Sequence, residues 1–408
     1  MGGREKRSGS KYIREPTPHV KNNSALLGAA FLMATSAIGP GFLTQTARFT
    51  SELTTSFGFV ILVSLLLDIG AQLNIWRVIT VSRLRAQDLA NQLVPGLGWA
   101  LAALIAFGGL VFNIGNIGGC GLGLEALTGM DIRFGAILSA VLSLLLFWLP
   151  DTGARLDRLV RWLGLAMIAF TIYVAFASRP PVAQALLHTV VPQKIDLLKI
   201  ITLVGGTVGG YISFAGAHRL LEGGIGGAES VSSVSGSAVR GIVITTIMRF
   251  VLFLAALGVV MQGVAIGQAS NPAGAVFQAA AGNLGYRFFG GVMWIAAITS
   301  VIGASYTSIS FLSTLHPLIE RNRKGVVSIF ILSSLLIFLF LGNPARLLVL
   351  AGLVNGFILP VALAVILLAA RNTRLMGSYR HPLWLLFAGW LVVAIMTGMA
   401  LGNLLGLG

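Results

Sequence analysis

Residues 31–46 read FLMATSAIGPGFLTQT, and the Gly39-Pro40-Gly41 at its centre decides what kind of chain this is. Its flanks are apolar or small, as in a helix that crosses a bilayer over about 20 residues. Proline removes a backbone donor and clashes with the turn before it, and glycine raises the cost of keeping a helix. The span is therefore expected to unwind near mid-membrane. A second stretch, Gly205-Gly206-Thr207-Val208-Gly209-Gly210-Tyr211, interrupts a later apolar run at the matching depth. Unwound backbone in hydrocarbon survives only where protein or a water-filled cavity satisfies it.

The whole chain fits this reading. Of 408 residues, 56% are hydrophobic and 10% charged, and the mean hydropathy is +0.89, whereas soluble domains carry roughly 25% charged residues. A water-soluble enzyme is excluded. Runs such as 58–67 and 326–341 are apolar on every face, unlike the alternating segments of a membrane barrel. An all-α polytopic membrane protein of about eleven spans is expected, near 25–53, 55–77, 96–127, 133–150, 160–178, 196–222, 240–266, 287–315, 326–342, 345–370 and 382–406. Residues 1–23 are polar without an apolar centre, so they read as a disordered cytoplasmic tail rather than a cleaved signal peptide. Residues 24–408 form the transmembrane domain.

The net charge of +15 would suggest nucleic acid in a soluble protein. Here its distribution points to the bilayer instead. With the amino terminus in the cytoplasm, 20 of the 28 Lys and Arg residues fall inside and seven outside, leaving Arg249 within a span. That asymmetry is the positive-inside rule, and it puts the carboxyl terminus outside, as expected for a bacterial inner membrane protein. The lone Cys120 excludes an internal disulfide, and the five scattered histidines form no local metal or acid–base pair. Neither a cofactor nor a metal site is expected, and an enzyme is not.

Spans one to five (about 25–178) and six to ten (about 196–370) make two halves of odd count and opposite orientation, each opening with a broken helix, with an extra helix at about 382–406. Matching interruptions in two halves are the pointer to an inverted-repeat secondary transporter with its site at the midplane. A passive channel is the competing class, and paired helix breaks favour alternating access over it.

The stretch 31–46 resembles the first transmembrane helix of the NRAMP family of divalent-metal transporters, whose signature there is Asp-Pro-Gly-Asn. The resemblance runs over nearly the whole chain, including the glycine-broken sixth span and Leu359-Pro360 in the tenth. It implies a LeuT-type fold, a 5+5 inverted repeat with substrate between the unwound parts of helices one and six. Pro40 and Gly41 match the signature, while Gly39 replaces the metal-binding Asp and Phe42 the Asn. In the sixth span the family's Ala-x-x-Met-Pro-His aligns with 206–211, so that Gly209 replaces the Met and Tyr211 the His. Transition metals need imidazole, sulfur or carboxylate ligands, and these positions offer none. The resemblance therefore implies the fold more firmly than the substrate.

What the site does offer is backbone. The start of a helix presents free N–H groups and about half a positive charge, which favours an anion. The second half of the first span is expected to begin around Phe42, with Thr44 and Gln45 following. Gly206, Gly209 and Gly210 would bring backbone N–H groups close, and Thr207 and Tyr211 would add neutral hydrogen bonds. The expected substrate-binding set is thus Gly39, Pro40, Gly41, Phe42, Thr44, Gln45, Gly206, Thr207, Gly209, Gly210 and Tyr211. The expected substrate is a small anion such as bicarbonate or a short carboxylate, with a divalent cation (Mn²⁺ or Mg²⁺) as the alternative. Asp68 lies deep in the second span, where an ionisable group usually faces a pathway or a partner. It is the expected proton-coupling residue. The hydroxyl-rich eighth span (Thr299 to Thr314) keeps Na⁺ as the alternative coupling ion.

Overall fold

Gly39 is the N-cap of the first described helix. The computed structural model describes residues 38–149, 152–313 and 316–405. The tail and the first half of the first span lie outside these. Every regular element among the described residues is helical. From the break run α1 (Pro40–Leu53) and α2 (Phe57–Ser82). A short α3 (Ala86–Leu93) leads to the long α4 (Leu97–Thr128), α5 (Ile132–Trp148) and α6 (Thr152–Ala177). After α7 (Val182–Val190), the sixth span appears as two helices, α8 (Leu197–Thr207) and α9 (Gly210–Glu222). Then come α10 (Val231–Met261), α11 (Pro272–Leu312), α12 (Pro317–Arg321) and α13 (Arg323–Leu341). The chain closes with α14 (Pro344–Ala370), α15 (Thr373–Met376) and α16 (Leu383–Leu404).

Local chemistry explains where these helices start. Pro40, Pro272 and Pro344 stand in the first turn, where a missing N–H costs nothing. Asp196, Asn271 and Asn343 accept the N–H groups of Lys199, Gly274 and Arg346 as N-caps, which satisfies donors the helix cannot. α2 stops at Arg83, whose left-handed φ of 55° ends the run.

By length and apolarity, eight described helical runs can cross a membrane, or nine if the pair bent by 106° (α6 and α7) is one span. The expected eleven differs by separating α1 from α2, which qualify as one run, and by including α5, which has only 17 residues. Several boundaries also move. α10 starts at Val231 rather than 240, and α11 at Pro272 rather than 287, with a break at Gly282 (φ 63°) inside it. Neither α3 nor α7 is among the expected spans, because with 8 and 9 residues both are too short to cross a bilayer.

Two close approaches position the site. A Cβ on Gly119 of α4 would lie 2.5 Å from the Pro40 ring, so α4 supports the start of α1 directly. A Cβ on Gly205 would overlap the Gly352 carbonyl and the Gly356 N–H of α14. Contrary to the expectation from sequence, Gly205 and Gly206 do not unwind the sixth span. They lie within α8, where Gly205 lets α8 and α14 touch backbone to backbone and Gly206 leaves room for the Gln45 side chain. The break itself is confined to Val208 and Gly209.

Candidate functional site

α1 begins at Pro40, earlier than the expected Phe42. The first N–H groups of any helix have no acceptor within it. Pro40 has none to offer and Gly39 supplies no side-chain cap, so the N–H groups of Gly41 and Phe42 have no acceptor within α1 or from its cap side chain. Across from them, Ser213 Oγ donates to the Val208 carbonyl at 2.8 Å, and Trp76 Nε1 donates to the Ser213 carbonyl at 2.9 Å. These two bonds hold the break in the sixth span open.

Between the two breaks stands a residue of α10 that the sequence reading left unused. Arg249 is only 2% exposed. Its guanidinium lies 4.4 Å from the centroid of the Phe42 ring, a cation–π contact. Nη1 donates to Thr207 Oγ1 at 2.8 Å, and Thr207 Oγ1 in turn donates to the Leu203 carbonyl at 2.8 Å. Nε and Nη2 are buried with no partner. Asp68 of α2 is equally buried, and its Oδ1 has no partner. The signal that could have found Arg249 was available: an ionisable group at bilayer depth marks a site or a partner, and the same argument had been applied to Asp68.

The remaining expected residues divide. Thr44 is fully buried with Oγ1 unpartnered. Gln45 donates through Nε2 to the Leu348 carbonyl of α14 at 3.0 Å, and a Cβ on Gly206 would lie 2.6 Å from its Oε1. Gln45 thus fills the gap among α1, α8 and α14. Tyr211 packs edge-on against Phe112 with centroids 5.1 Å apart. Asn355 donates to the carbonyls of Gly108 and Ala351, both at 2.9 Å, and leaves Oδ1 unpartnered beside Gly210. Among the described residues, no three His, Cys, Asp or Glu side chains come together where they could hold a metal.

The family whose model matches this chain, over residues 30–406, is Nramp, described as natural resistance-associated macrophage protein-like. The chain belongs to the Nramp family. It is therefore an integral membrane protein of a transporter family, not an enzyme. It is 56% identical over 381 residues to the uncharacterized membrane protein YcsG of Bacillus subtilis (strain 168), covering 93% of this chain and 94% of that protein. Its fold is similar to a crystal structure of the Eremococcus coleocola manganese transporter, with a TM-score of 0.72, 17% identity and coverage of 96% and 89%. It is also similar to the structure of MhsT in complex with L-phenylalanine, with a TM-score of 0.65, 15% identity and coverage of 92% and 98%. These likenesses establish the LeuT-type fold.

Within this Nramp fold the departures at Gly39 and Phe42 acquire a physical content. Phe42, which stands where the family signature has Asn, carries a ring on which a cation rests. Away from the breaks, Arg48 and Glu52 pair at 3.0 Å, and Lys199 reaches the same Glu52 at 3.1 Å while also pairing with Asp196. This cluster ties the far end of α1 to the start of α8. In α11, Thr299, Ser305 and Ser310 donate to carbonyls of their own helix, and Ser313 just past its end donates back to the Ser310 carbonyl. Asn113 donates to Ser334 of α13 at 3.0 Å, which joins two helices.

Proposed function

We propose that this Nramp protein is a secondary active transporter of a small anion, bicarbonate or a short carboxylate, rather than of a transition metal. One observation carries the proposal: a buried arginine with two free N–H-bearing nitrogens sits where the two helix breaks meet. A buried guanidinium without hydrogen-bond acceptors is costly, and its planar fork matches a carboxylate in shape and charge. The free N–H groups of Gly41 and Phe42 add to the same field. A dication would meet that positive charge with no carboxylate among the binding residues.

The substrate-binding set is then Gly41, Phe42, Thr44, Thr207 and Arg249, with Gly39, Pro40, Gly209, Gly210 and Tyr211 shaping the breaks and Gln45 and Gly206 packing behind them. Two repeats, about 25–178 and 196–370, would exchange access across the site, with the amino terminus in the cytoplasm and the carboxyl terminus outside a bacterial inner membrane. The second reading is a divalent cation, favoured by the likeness to the manganese transporter.

Uptake of radiolabelled bicarbonate and pyruvate, and of Mn²⁺, into proteoliposomes tests the two readings. Losing a hydrogen bond to a charged group costs about 1.5–3 kcal/mol, so Arg249→Gln is expected to weaken anion uptake roughly ten- to a hundredfold. Mn²⁺ uptake by the wild type that Arg249→Gln leaves intact or improves would overturn the anion proposal.

A further inference from the structure

We infer that the cleft where α5 ends and α12 and α13 begin binds the phosphate headgroup of an anionic phospholipid. The inference is independent of what the protein transports.

The cleft has a volume of about 640 Å³, and its walls include Trp148, Glu320, Arg321, Arg323, Lys324 and Ile329. Three cations thus face the single carboxylate of Glu320. Arg323 is held most firmly. Its Cζ lies 4.1 Å from the centroid of the Tyr306 ring of α11, a stacking that fixes the plane of the guanidinium fork. Nε and Nη2 are shielded from water and have no acceptor. Nη1 stands 3.8 Å from Glu320 Oε1, beyond hydrogen-bond reach. Donors left in this state are costly, and a phosphate is a group that the fork matches in shape and charge. Lys324 Nζ lies 5.4 Å from the centroid of the Trp148 ring, and Trp148 Nε1 donates to Ser328 Oγ at 3.0 Å. These contacts join α5 to α13 across the cleft and keep a second, exposed cation at its edge.

The surroundings say what carries the phosphate. Val141 and Leu145 lead to Trp148 along one face of α5, and Leu332 and Leu336 continue from Ile329 along one face of α13, all of them exposed. The two helices are apolar and pack together, so two lipid-facing stripes run away from the basic cleft. A tryptophan at the end of such a stripe marks the level of the headgroups. With the amino terminus in the cytoplasm, this end of the bundle meets the inner leaflet, and a basic pocket between spans on that side suits an anionic headgroup. A soluble phosphate would reach an open cleft only from dilute solution. A lipid phosphate is kept there at high effective concentration by its acyl chains. The occupant is therefore an anionic phospholipid whose chains lie along α5 and α13.

The test is native mass spectrometry of the delipidated full chain in detergent, titrated with phosphatidylglycerol and, separately, with phosphatidylcholine. Phosphatidylglycerol is expected to stay on the protein at collision energies that strip phosphatidylcholine. Losing a charge-assisted hydrogen bond to the phosphate should weaken phosphatidylglycerol binding roughly tenfold in Arg323→Gln and in Lys324→Gln. Lys324 is exposed, so its variant carries the test even if Arg323→Gln disturbs the packing on Tyr306. Arg374→Gln, an exposed cation of α15 outside the cleft, should leave binding unchanged. Equal retention of the two lipids would overturn the inference, as would an Arg374→Gln loss as large as that of Lys324→Gln, which would mark a diffuse surface charge. Displacement of phosphatidylglycerol by glycerol 3-phosphate at equal concentration would assign the cleft to a soluble phosphate instead and overturn the lipid occupant.

Discussion

Replacing Gly39 by Asp tests the sign of the substrate's charge with the least disturbance to the fold. Gly39 is the N-cap of α1 at φ −90° and ψ −170°, a conformation any L-residue adopts. Asp is a preferred N-cap residue, and its carboxylate would accept the N–H groups of Gly41 or Phe42 that an anion would otherwise use. Stability should hold or rise by a few tenths of a kcal/mol. The new carboxylate and an anion at the same N–H groups would stand about 4 Å apart, which is worth roughly 4 kcal/mol of repulsion at an effective dielectric of 20. Even a third of that weakens binding about tenfold, and pairing of the new carboxylate with Arg249 would deepen the loss. The assay is uptake of bicarbonate and pyruvate by wild type and Gly39→Asp side by side, with thermal unfolding of both in detergent as the control. A stable variant with unchanged anion uptake would refute the reasoning, as would wild-type Mn²⁺ transport that the substitution strengthens.

Calorimetry on the purified protein should find Mn²⁺ binding no tighter than roughly millimolar, since the candidate site lacks thiolate, imidazole and thioether ligands; micromolar binding would contradict this. Gly205→Ala should destabilise the fold by about 1–3 kcal/mol through overpacking, because its Cβ would overlap backbone atoms of α14; an unchanged unfolding midpoint would show that α8 and α14 are not in such contact. His381, outside the spans, bonds Asn74 Oδ1 through Nε2 at 2.9 Å. Burial first, and then the nearby Arg77 charge, push its pKa down to about 4. Between about pH 6.5 and 4 the unfolded chain binds a proton that the folded one does not, so stability falls as pH falls through that window. His381→Gln should flatten this slope in detergent unfolding, and an equally steep slope would locate its origin elsewhere.

Much of the architecture was legible because hydropathy and helix breaking act locally. Pro40 and the glycines around it announced a break, and the structure starts a helix there. Gly205 and Gly206 show where such reading fails. A glycine that unwinds a helix and one that lets a neighbour approach look alike until the neighbour is known, and here the neighbours are Gly352 and Gly356 for Gly205 and the Gln45 side chain for Gly206, all far away in the sequence. Thr44 and Thr207 were identifiable as polar groups beside a break. Arg249 was overlooked because its value lies in what surrounds it: the Phe42 ring and the Thr207 hydroxyl come from two other helices. Sequence spacing cannot bring those three residues together, although the cost of burying a lone charge could have raised the question.

The contact between α8 and α14 has a mechanical consequence. With no side-chain volume between Gly205 and the backbone of Gly352 and Gly356, α8 is seated directly on α14. Only Val208 and Gly209 separate α8 from α9, so a hinge placed there would turn α9 while α8 keeps its seat. On the anion reading, Thr207 and the Arg249 nitrogen that bonds it would stay on the seated side of that hinge.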